Sequence, residues 1–206
     1  MVVIIDYKVG NITSVKNMLK KVGCTDVVIS SQPDDIAKAT KLILPGVGHF
    51  DYGMQQLKAS GLIDVLNTQV LVKGIPLLGI CLGAQLLTRG SEEGNVKGLG
   101  WIDADTVKFD RTKLQAGLKI PHMGWSVVKV NTDMSLLQNL PKDPSFYFVH
   151  TYHMQCDHKE NEVVTANYGY TFAAGISKGN IMGMQFHPEK SHKFGMQLFK
   201  NFVEQY

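Results

Sequence analysis

Short apolar runs alternate with stretches of helical spacing through the first two-fifths of the chain. Apolar residues occupy consecutive positions in the runs, as strands covered on both faces require. The runs lie at Val2 to Ile5, Val27 to Ile29, Lys41 to Leu44 and Pro76 to Ile80. Helical spacing follows Ile12, Val15, Met18, Leu19 and Val22, and again Met54, Leu57, Leu62, Val65 and Leu66. This alternation predicts an α/β fold with a doubly wound, mostly parallel sheet.

The pattern changes after about Trp101, where strand-like segments follow one another closely. They are Thr106 to Phe109, Val127 to Val130, Phe146 to His150, Val163 to Tyr168, Thr171 to Ile176 and Ile181 to Gln185. Helical spacing returns only at the end of the chain, from Phe194 to Val203. We therefore expect an antiparallel extension of the parallel sheet and a final helix. No repeat or linker divides the sequence, which predicts a single domain over residues 1–206.

Charge and cysteine content narrow the functional classes. The formal net charge is +3, and the basic residues form no cluster of the kind that binds nucleic acid or anionic lipid. The first apolar run gives way to Asp6 after five residues, too short for a signal peptide core or a membrane span, so a cytoplasmic location is expected. Cys24, Cys81 and Cys156 are widely separated and form no CxxC pair, which favours free thiols over disulfides or zinc.

Cys81 is expected at a sharp bend between a strand and a helix. The run up to Ile80 reads as a buried strand, and helical spacing starts directly at Leu82. Gly79 and Gly83 would relieve crowding at such a bend, and a helix N-terminus favours a thiolate. A single cysteine between glycines is more often structural, so a catalytic interpretation needs partner residues elsewhere in the chain.

Segments before and after the bend provide such partners. His187 and Glu189 could supply a base for the thiol and a carboxylate that holds the tautomer of the base. The backbone N–H of Leu82 would point at an oxyanion formed beside the sulfur. The glycine-rich loop Pro45-Gly46-Val47-Gly48 is the candidate for a second N–H donor. Together these residues favour nucleophilic catalysis by Cys81.

Three motifs resemble the signatures of class I (triad) glutamine amidotransferases. They are Gly79-Ile80-Cys81-Leu82-Gly83-Ala84-Gln85, Pro45-Gly46-Val47-Gly48 and Phe186-His187-Pro188-Glu189-Lys190-Ser191. Within that class, Lys190 and Ser191 together with Pro121-His122-Met123-Gly124-Trp125 make the chain most similar to the glutaminase subunits of imidazole glycerol phosphate synthase. The resemblance covers essentially the whole chain.

The resemblance implies a flavodoxin-like fold and a glutaminase reaction. Cys81 would attack the carboxamide carbon of glutamine, and His187, oriented by Glu189, would protonate the departing ammonia and activate the water that hydrolyses the thioester. The Leu82 and Val47 amides would form the oxyanion hole. Substrate contacts are implied at Gly48, Gln85, Glu93, Tyr147, His150 and Thr151. No cofactor is implied.

The same resemblance implies a partner, because free ammonia must be protected from protonation until it is used. That partner is a (β/α)-barrel cyclase in a heterodimer, and the docking face matches Gly10, Asn11, Trp125 and Lys190. The chain departs from the usual family pattern at Lys8, Thr13 and Ser126, all of which belong to this face. A related glutaminase subunit that supplies ammonia to a sugar amidotransferase, in surface polysaccharide synthesis, is therefore an alternative.

Three other interpretations have less support in the sequence. A cysteine hydrolase of the same fold is disfavoured by Gln85 and Glu93, which suit a free amino acid. A non-catalytic regulator is disfavoured by the complete triad. His150, His153, Cys156 and His158 lie close in sequence, but in a continuing strand residues 150 and 153 would point to opposite faces, which argues for packing or surface roles and no metal site.

Overall fold

Eleven strands form one mixed sheet, and the computed structural model describes every residue from Met1 to Tyr206. The strands are β1 (Val2–Ile5), β2 (Val27–Ser30), β3 (Lys41–Gly46), β4 (Leu77–Cys81), β5 (Ala104–Lys108), β6 (His122–Val130), β7 (Ser145–His150), β8 (Tyr152–Cys156), β9 (Glu162–Tyr168), β10 (Tyr170–Lys178) and β11 (Ile181–Met184). The main path runs in the order β2-β1-β3-β4-β11-β10-β9-β6-β7.

Six α-helices accompany the sheet. They are α1 (Ile12–Lys21), α2 (Pro33–Lys38), α3 (Phe50–Ala59), α4 (Ile63–Asn67), α5 (Leu82–Gln85) and α6 (His192–Gln205). The helical spacing that the sequence shows from Met54 to Leu66 is divided between α3 and α4, since the chain turns at Gly61 with a positive φ of 71°. A π-helical turn, Thr68–Val72, then leads toward β4. No helix is both long and apolar enough to cross a bilayer.

The parallel half of the sheet is covered on both faces, as predicted. Strands β2, β1, β3, β4 and β11 are mutually parallel. Successive residues of a strand point to opposite faces, so Ile4 packs with α1 and α6 on one side and Ile5 packs with α2 to α5 on the other. Both side chains are fully buried, and each such burial contributes about 1.5–3 kcal/mol of stability.

The antiparallel extension is also confirmed. Strands β10, β9, β6 and β7 continue the sheet antiparallel to one another beyond β11, and β5 with β8 forms a side branch that joins β10. One expectation was wrong, because the strand does not continue through residue 153. β7 ends at His150, and β8 starts at Tyr152 and pairs with β5 and β10. His150 and His153 thus belong to different ladders.

Candidate active site

The carboxyl ends of β3, β4 and β11 bring the three sequence motifs to one edge of the sheet. Gly46, at the end of β3, lies in register with Cys81, at the end of β4. The chain leaves β11 at Met184 and continues directly through Gln185 to His187. Ligands and reactive groups gather at this edge in open α/β sheets because the loops there are free to carry them.

Cys81 adopts a strained backbone conformation at the bend, with φ of 53° and ψ of −112°. A residue other than glycine in such a region costs on the order of 1–3 kcal/mol, so the surrounding packing must hold it there. Gly83 allows the chain after the bend to pack directly against β3, because a Cβ atom at this position would overlap the carbonyl oxygen of Leu44. The residue after Cys81, Leu82, is the first of α5.

His187 and Glu189 form a buried pair. Nδ1 of His187 lies 2.8 Å from Oε1 of Glu189, and the side chains are only 1% and 2% exposed. The carboxylate accepts a hydrogen bond from the Nδ1–H group and so fixes the tautomer of the ring. Nε2 of His187 and Oε2 of Glu189 have no hydrogen-bond partner within the protein. Nε2 is therefore free for proton transfer.

Two opposing influences act on the pKa of His187. Burial alone lowers it, but the neighbouring Cys81 and Glu189 side chains outweigh burial and raise the pKa to about 10. The site thus holds an imidazolium, a proton donor, at neutral pH.

Tyr7 supports the glycine-rich loop beside the nucleophile. Its hydroxyl donates a 2.7 Å hydrogen bond to the carbonyl of Pro45. Burial, with a smaller contribution from Cys81, raises the pKa of this phenol, so it remains a neutral donor. Its oxygen would lie 2.6 Å from a Cβ atom at Gly46, which explains the need for glycine there. The loop that continues to Val47 is consequently held against the bend.

A cavity of about 450 Å³ opens above the bend. Cys81, His187, Leu82 and Val47 line it. The wall also contains five of the six residues that the sequence assigned to substrate binding, namely Gly48, Gln85, Glu93, His150 and Thr151. Tyr147 is not part of this wall. Its carbonyl accepts a hydrogen bond from the His187 N–H at 2.9 Å, so it contacts the site through the backbone of His187.

Glu93 is held at the cavity by the start of α3. One of its carboxylate oxygens, Oε2, accepts a 2.8 Å hydrogen bond from the Phe50 N–H. Asp51 in turn accepts hydrogen bonds of 3.1 Å from the N–H groups of Asn95 and Val96. These two backbone contacts lower the pKa of Asp51. The helix start and the Glu93 segment are thus fixed to one another.

The structure adds residues that the sequence interpretation did not single out. Gln185 is completely buried, and its Nε2 lies 3.9 Å from the Cys81 sulfur. The period of two in extended chain places Gln185 on the same side as His187, and that spacing could have indicated it. The Tyr152 carbonyl, which accepts a hydrogen bond from Gln85, could not have been found in this way, because β8 was not predicted.

The histidines of β7 and β8 are packed in the interior. His150 and His153 are each 6% exposed, so neither is a surface residue. Both ring nitrogens of His153 are engaged, one with the Met154 carbonyl and the other with the Tyr170 hydroxyl. The structure contains no group of three or more histidine, cysteine, aspartate or glutamate side chains arranged to hold a metal ion.

The predicted docking residues lie on neighbouring elements. Trp125 of β6 is 47% exposed and stacks on His192, with ring centroids 5.4 Å apart. Lys190 is exposed above the Tyr147 ring. Gly10 and Asn11 directly precede α1, which packs against the turn that contains Lys190. These residues can therefore contribute to one surface.

Lys8 adopts a positive φ of 67°. Its N–H donates to the carboxylate of Asp6 at 3.0 Å. The local side-chain contact compensates in part for the strain of a left-handed residue.

Comparison with known proteins identifies the family. The family model described as "Glutamine amidotransferase class-I" matches residues 3–206. The chain belongs to this family. It is 55% identical to "Imidazole glycerol phosphate synthase subunit HisH 2" of Methanococcus maripaludis, over 100% of both chains. It is 52% identical to the protein of the same name from Pseudomonas aeruginosa, over 99% of both chains.

Solved structures agree on the fold. A glutamine amidotransferase from Thermotoga maritima superimposes with a TM-score of 0.66, covering 99% of this chain and 96% of that one. The identity is 16%, so this likeness concerns the fold alone. The predicted flavodoxin-like fold of triad amidotransferases is confirmed.

Proposed function

We propose that this chain is the glutaminase subunit of an imidazole glycerol phosphate synthase, a single cytoplasmic domain that works as a heterodimer with a cyclase. The observation that carries this proposal is the convergence of Cys81, at a strained bend, with the buried pair His187 and Glu189 in one cavity. Full-length relatives at 55% and 52% identity carry the name of that synthase subunit.

The geometry supports a thioester mechanism. The Cys81 thiolate attacks the carboxamide carbon of glutamine, and the C–N bond breaks as the His187 imidazolium gives its proton to the leaving ammonia. His187, now neutral, removes a proton from water, and hydroxide attack on the thioester releases glutamate and the thiolate. Glu189 keeps the imidazole in place throughout and stabilises its charged form.

The oxyanions of both steps need donors beside the sulfur. We assign them to the N–H groups of Leu82 and Val47, because both residues line the cavity next to Cys81. The free oxygen of Glu93 suits the α-ammonium group of glutamine, and Gln85, Gly48, His150 and Thr151 complete the pocket. The Tyr147 side chain lies outside the cavity and is assigned no substrate contact.

Ammonia released here must reach a synthase without passing through water, where it would be protonated. The docking face of Gly10, Asn11, Trp125 and Lys190 fits a protein partner, and the exposed apolar side chains of β6, Met123 and Val127, extend it. The supply of ammonia to a sugar amidotransferase is not favoured, since the Methanococcus maripaludis and Pseudomonas aeruginosa relatives are named for the imidazole glycerol phosphate synthase.

The test is a glutaminase assay with and without the cyclase subunit of the same organism. We expect slow release of glutamate by the isolated chain and strong stimulation when the cyclase and its phosphoribosyl nucleotide substrate are added. A chain that releases no glutamate under either condition would contradict the proposal. Purification of the native complex distinguishes the pathways, because a co-purifying sugar amidotransferase would establish the alternative.

A further inference from the structure

Gln185 contacts the reacting sulfur but has no role in the thioester mechanism. Its side chain is fully buried, with Nε2 at 3.9 Å from the Cys81 sulfur and Oε1 at 3.1 Å from Nε2 of Gln85. An amide that accepts at one end must donate at the other. The orientation of Gln185 therefore depends on which end of the Gln85 amide faces it.

The carbonyl of Tyr152 decides that orientation. A carbonyl can only accept, and it lies 3.2 Å from Nε2 of Gln85, so the NH₂ group of Gln85 must be at this end. The same NH₂ group then donates to Oε1 of Gln185. The remaining end of Gln185, its own NH₂ group, is directed at the sulfur of Cys81.

A second set of hydrogen bonds reaches the same carbonyl from the other side. Nδ1 of His150 lies 2.7 Å from the Tyr152 oxygen and must carry the proton. Nε2 of His150 then accepts from Nδ1 of His122 at 2.9 Å, and Nε2 of His122 accepts from the Ser126 hydroxyl at 2.8 Å. Because the Tyr152 carbonyl can only accept, it determines which atom is the donor in each of these hydrogen bonds.

Both histidines must be neutral for this arrangement, because an imidazolium cannot accept. Burial lowers the pKa of His122 to about 4. Burial is also the main reason that the pKa of His150 lies well below its ordinary value. The charge of the His187 imidazolium lowers it further. The hydrogen-bonded chain can therefore persist over the physiological pH range.

We propose that Gln185 is a further catalytic residue, which donates a hydrogen bond to the Cys81 sulfur, and that Ser126, His122 and His150 are positioning residues that hold the carbonyl on which its orientation depends. This rests on the proposed glutaminase function. A donor at the sulfur favours the charged thiolate over the neutral thiol and thioester. Ser126 is half-buried next to the exposed Trp125, so the network extends to the predicted docking face.

The first test compares Gln185→Met with Gln69→Met, a second buried glutamine that lies in the π-helical turn. Alkylation of Cys81 by iodoacetamide at a pH of about 7 is followed by site-resolved mass spectrometry, which separates Cys81 from Cys24 and Cys156. Loss of one hydrogen bond to a charged group predicts about tenfold slower alkylation and an about tenfold lower kcat for Gln185→Met, with little change in KM. Equal alkylation rates in both variants and the wild type would overturn the proposal.

Gln185→Asn keeps the test decisive if Gln185→Met does not fold. The shorter side chain is still a buried amide but cannot reach both Gln85 and the Cys81 sulfur, so alkylation should slow about as much as in Gln185→Met. Because alkylation requires no glutamine, slower alkylation in a chain without glutaminase activity would support the role of Gln185 while refuting the proposed function. An alkylation rate equal to that of the wild type would refute the role itself.

The second test addresses the positioning residues. Nitrogen-15 NMR should show His122 and His150 neutral and protonated at Nδ1 near neutral pH. A proton on Nε2 of His150 would overturn the hydrogen-bond order. Ser126→Thr keeps the hydroxyl and should retain the wild-type alkylation rate, whereas Ser126→Ala should slow it about twofold, since water can replace part of a half-buried donor. Identical rates in the two variants would exclude a positioning role for Ser126.

Discussion

Asp51 and Glu93 each hold the backbone of the other's segment. The Glu93 carboxylate accepts a hydrogen bond from the Phe50 N–H at the start of α3. The Asp51 carboxylate accepts hydrogen bonds from the N–H groups of Asn95 and Val96, which lie two and three residues after Glu93. The two carboxylates thereby fix the cavity wall on the side of the predicted α-ammonium site. Each contact is between a charge and a backbone amide, a strong class of hydrogen bond.

Asp51→Asn should weaken glutamine binding more than it slows the chemistry. An amide presents one acceptor to two N–H groups, so the Glu93 segment loses part of its support, and we expect KM for glutamine to rise about tenfold with a small change in kcat. Steady-state kinetics measures both. Asp64→Asn, an exposed aspartate on α4, is the matched control. An unchanged KM for Asp51→Asn would refute the role of this contact.

Replacement of Cys81 by alanine and by glycine separates chemistry from backbone strain. Both variants lack the thiol and should lose glutamine hydrolysis. Glycine tolerates the positive φ of 53°, so Cys81→Gly should be about 1 kcal/mol more stable than Cys81→Ala. Urea unfolding measures the difference. Equal stability of Cys81→Ala and Cys81→Gly would show that the bend is not strained. Glutamine hydrolysis at the wild-type rate in either variant would refute the role of Cys81 as the nucleophile.

Glu189→Gln should change how stability depends on pH. The pKa of His187 in the folded protein is raised from 6.5 to about 10, so its contribution to folding is complete below 6.5 and is lost as the pH rises through about 10. Without the carboxylate this shift shrinks. The stability difference between wild type and Glu189→Gln, from urea unfolding, should therefore be larger near pH 6 than near pH 10. The same stability difference at both pH values would contradict the pairing of His187 with Glu189.

Trp125→Ala should weaken the cyclase complex. The indole is half-exposed and already ordered by stacking on His192, which makes it a suitable anchor for a partner. We expect Kd for the cyclase to rise by about 30-fold or more, the loss typical of an aromatic anchor. Calorimetric titration measures it. Val72→Ala, which removes an 80% exposed apolar side chain from the π-helical turn, should leave Kd unchanged.

Much of the fold follows from local patterns. The runs of consecutive apolar residues correspond to β1 to β4, because strands with helices on both faces need apolar side chains at every position. β8 was missed because only Thr151 separates it from β7, and no turn residue marks the change of ladder. The spacing of apolar residues within a segment shows that it can form a strand, but it does not show which other strands it pairs with.

The sequence by itself predicted the candidate triad. Cys81, His187 and Glu189 stand in short motifs whose residue types together suit a thiol nucleophile, its base and an orienting carboxylate, and the parallel strand pattern places their loops at one edge. Only the tertiary structure decided how the site is supported. Gln185 and Gln85 are 100 residues apart, and Gln85 and the Tyr152 carbonyl are 67 apart. A hydrogen bond requires its two heavy atoms within about 3 Å of each other, or somewhat more for sulfur, and only the packed chain specifies such distances.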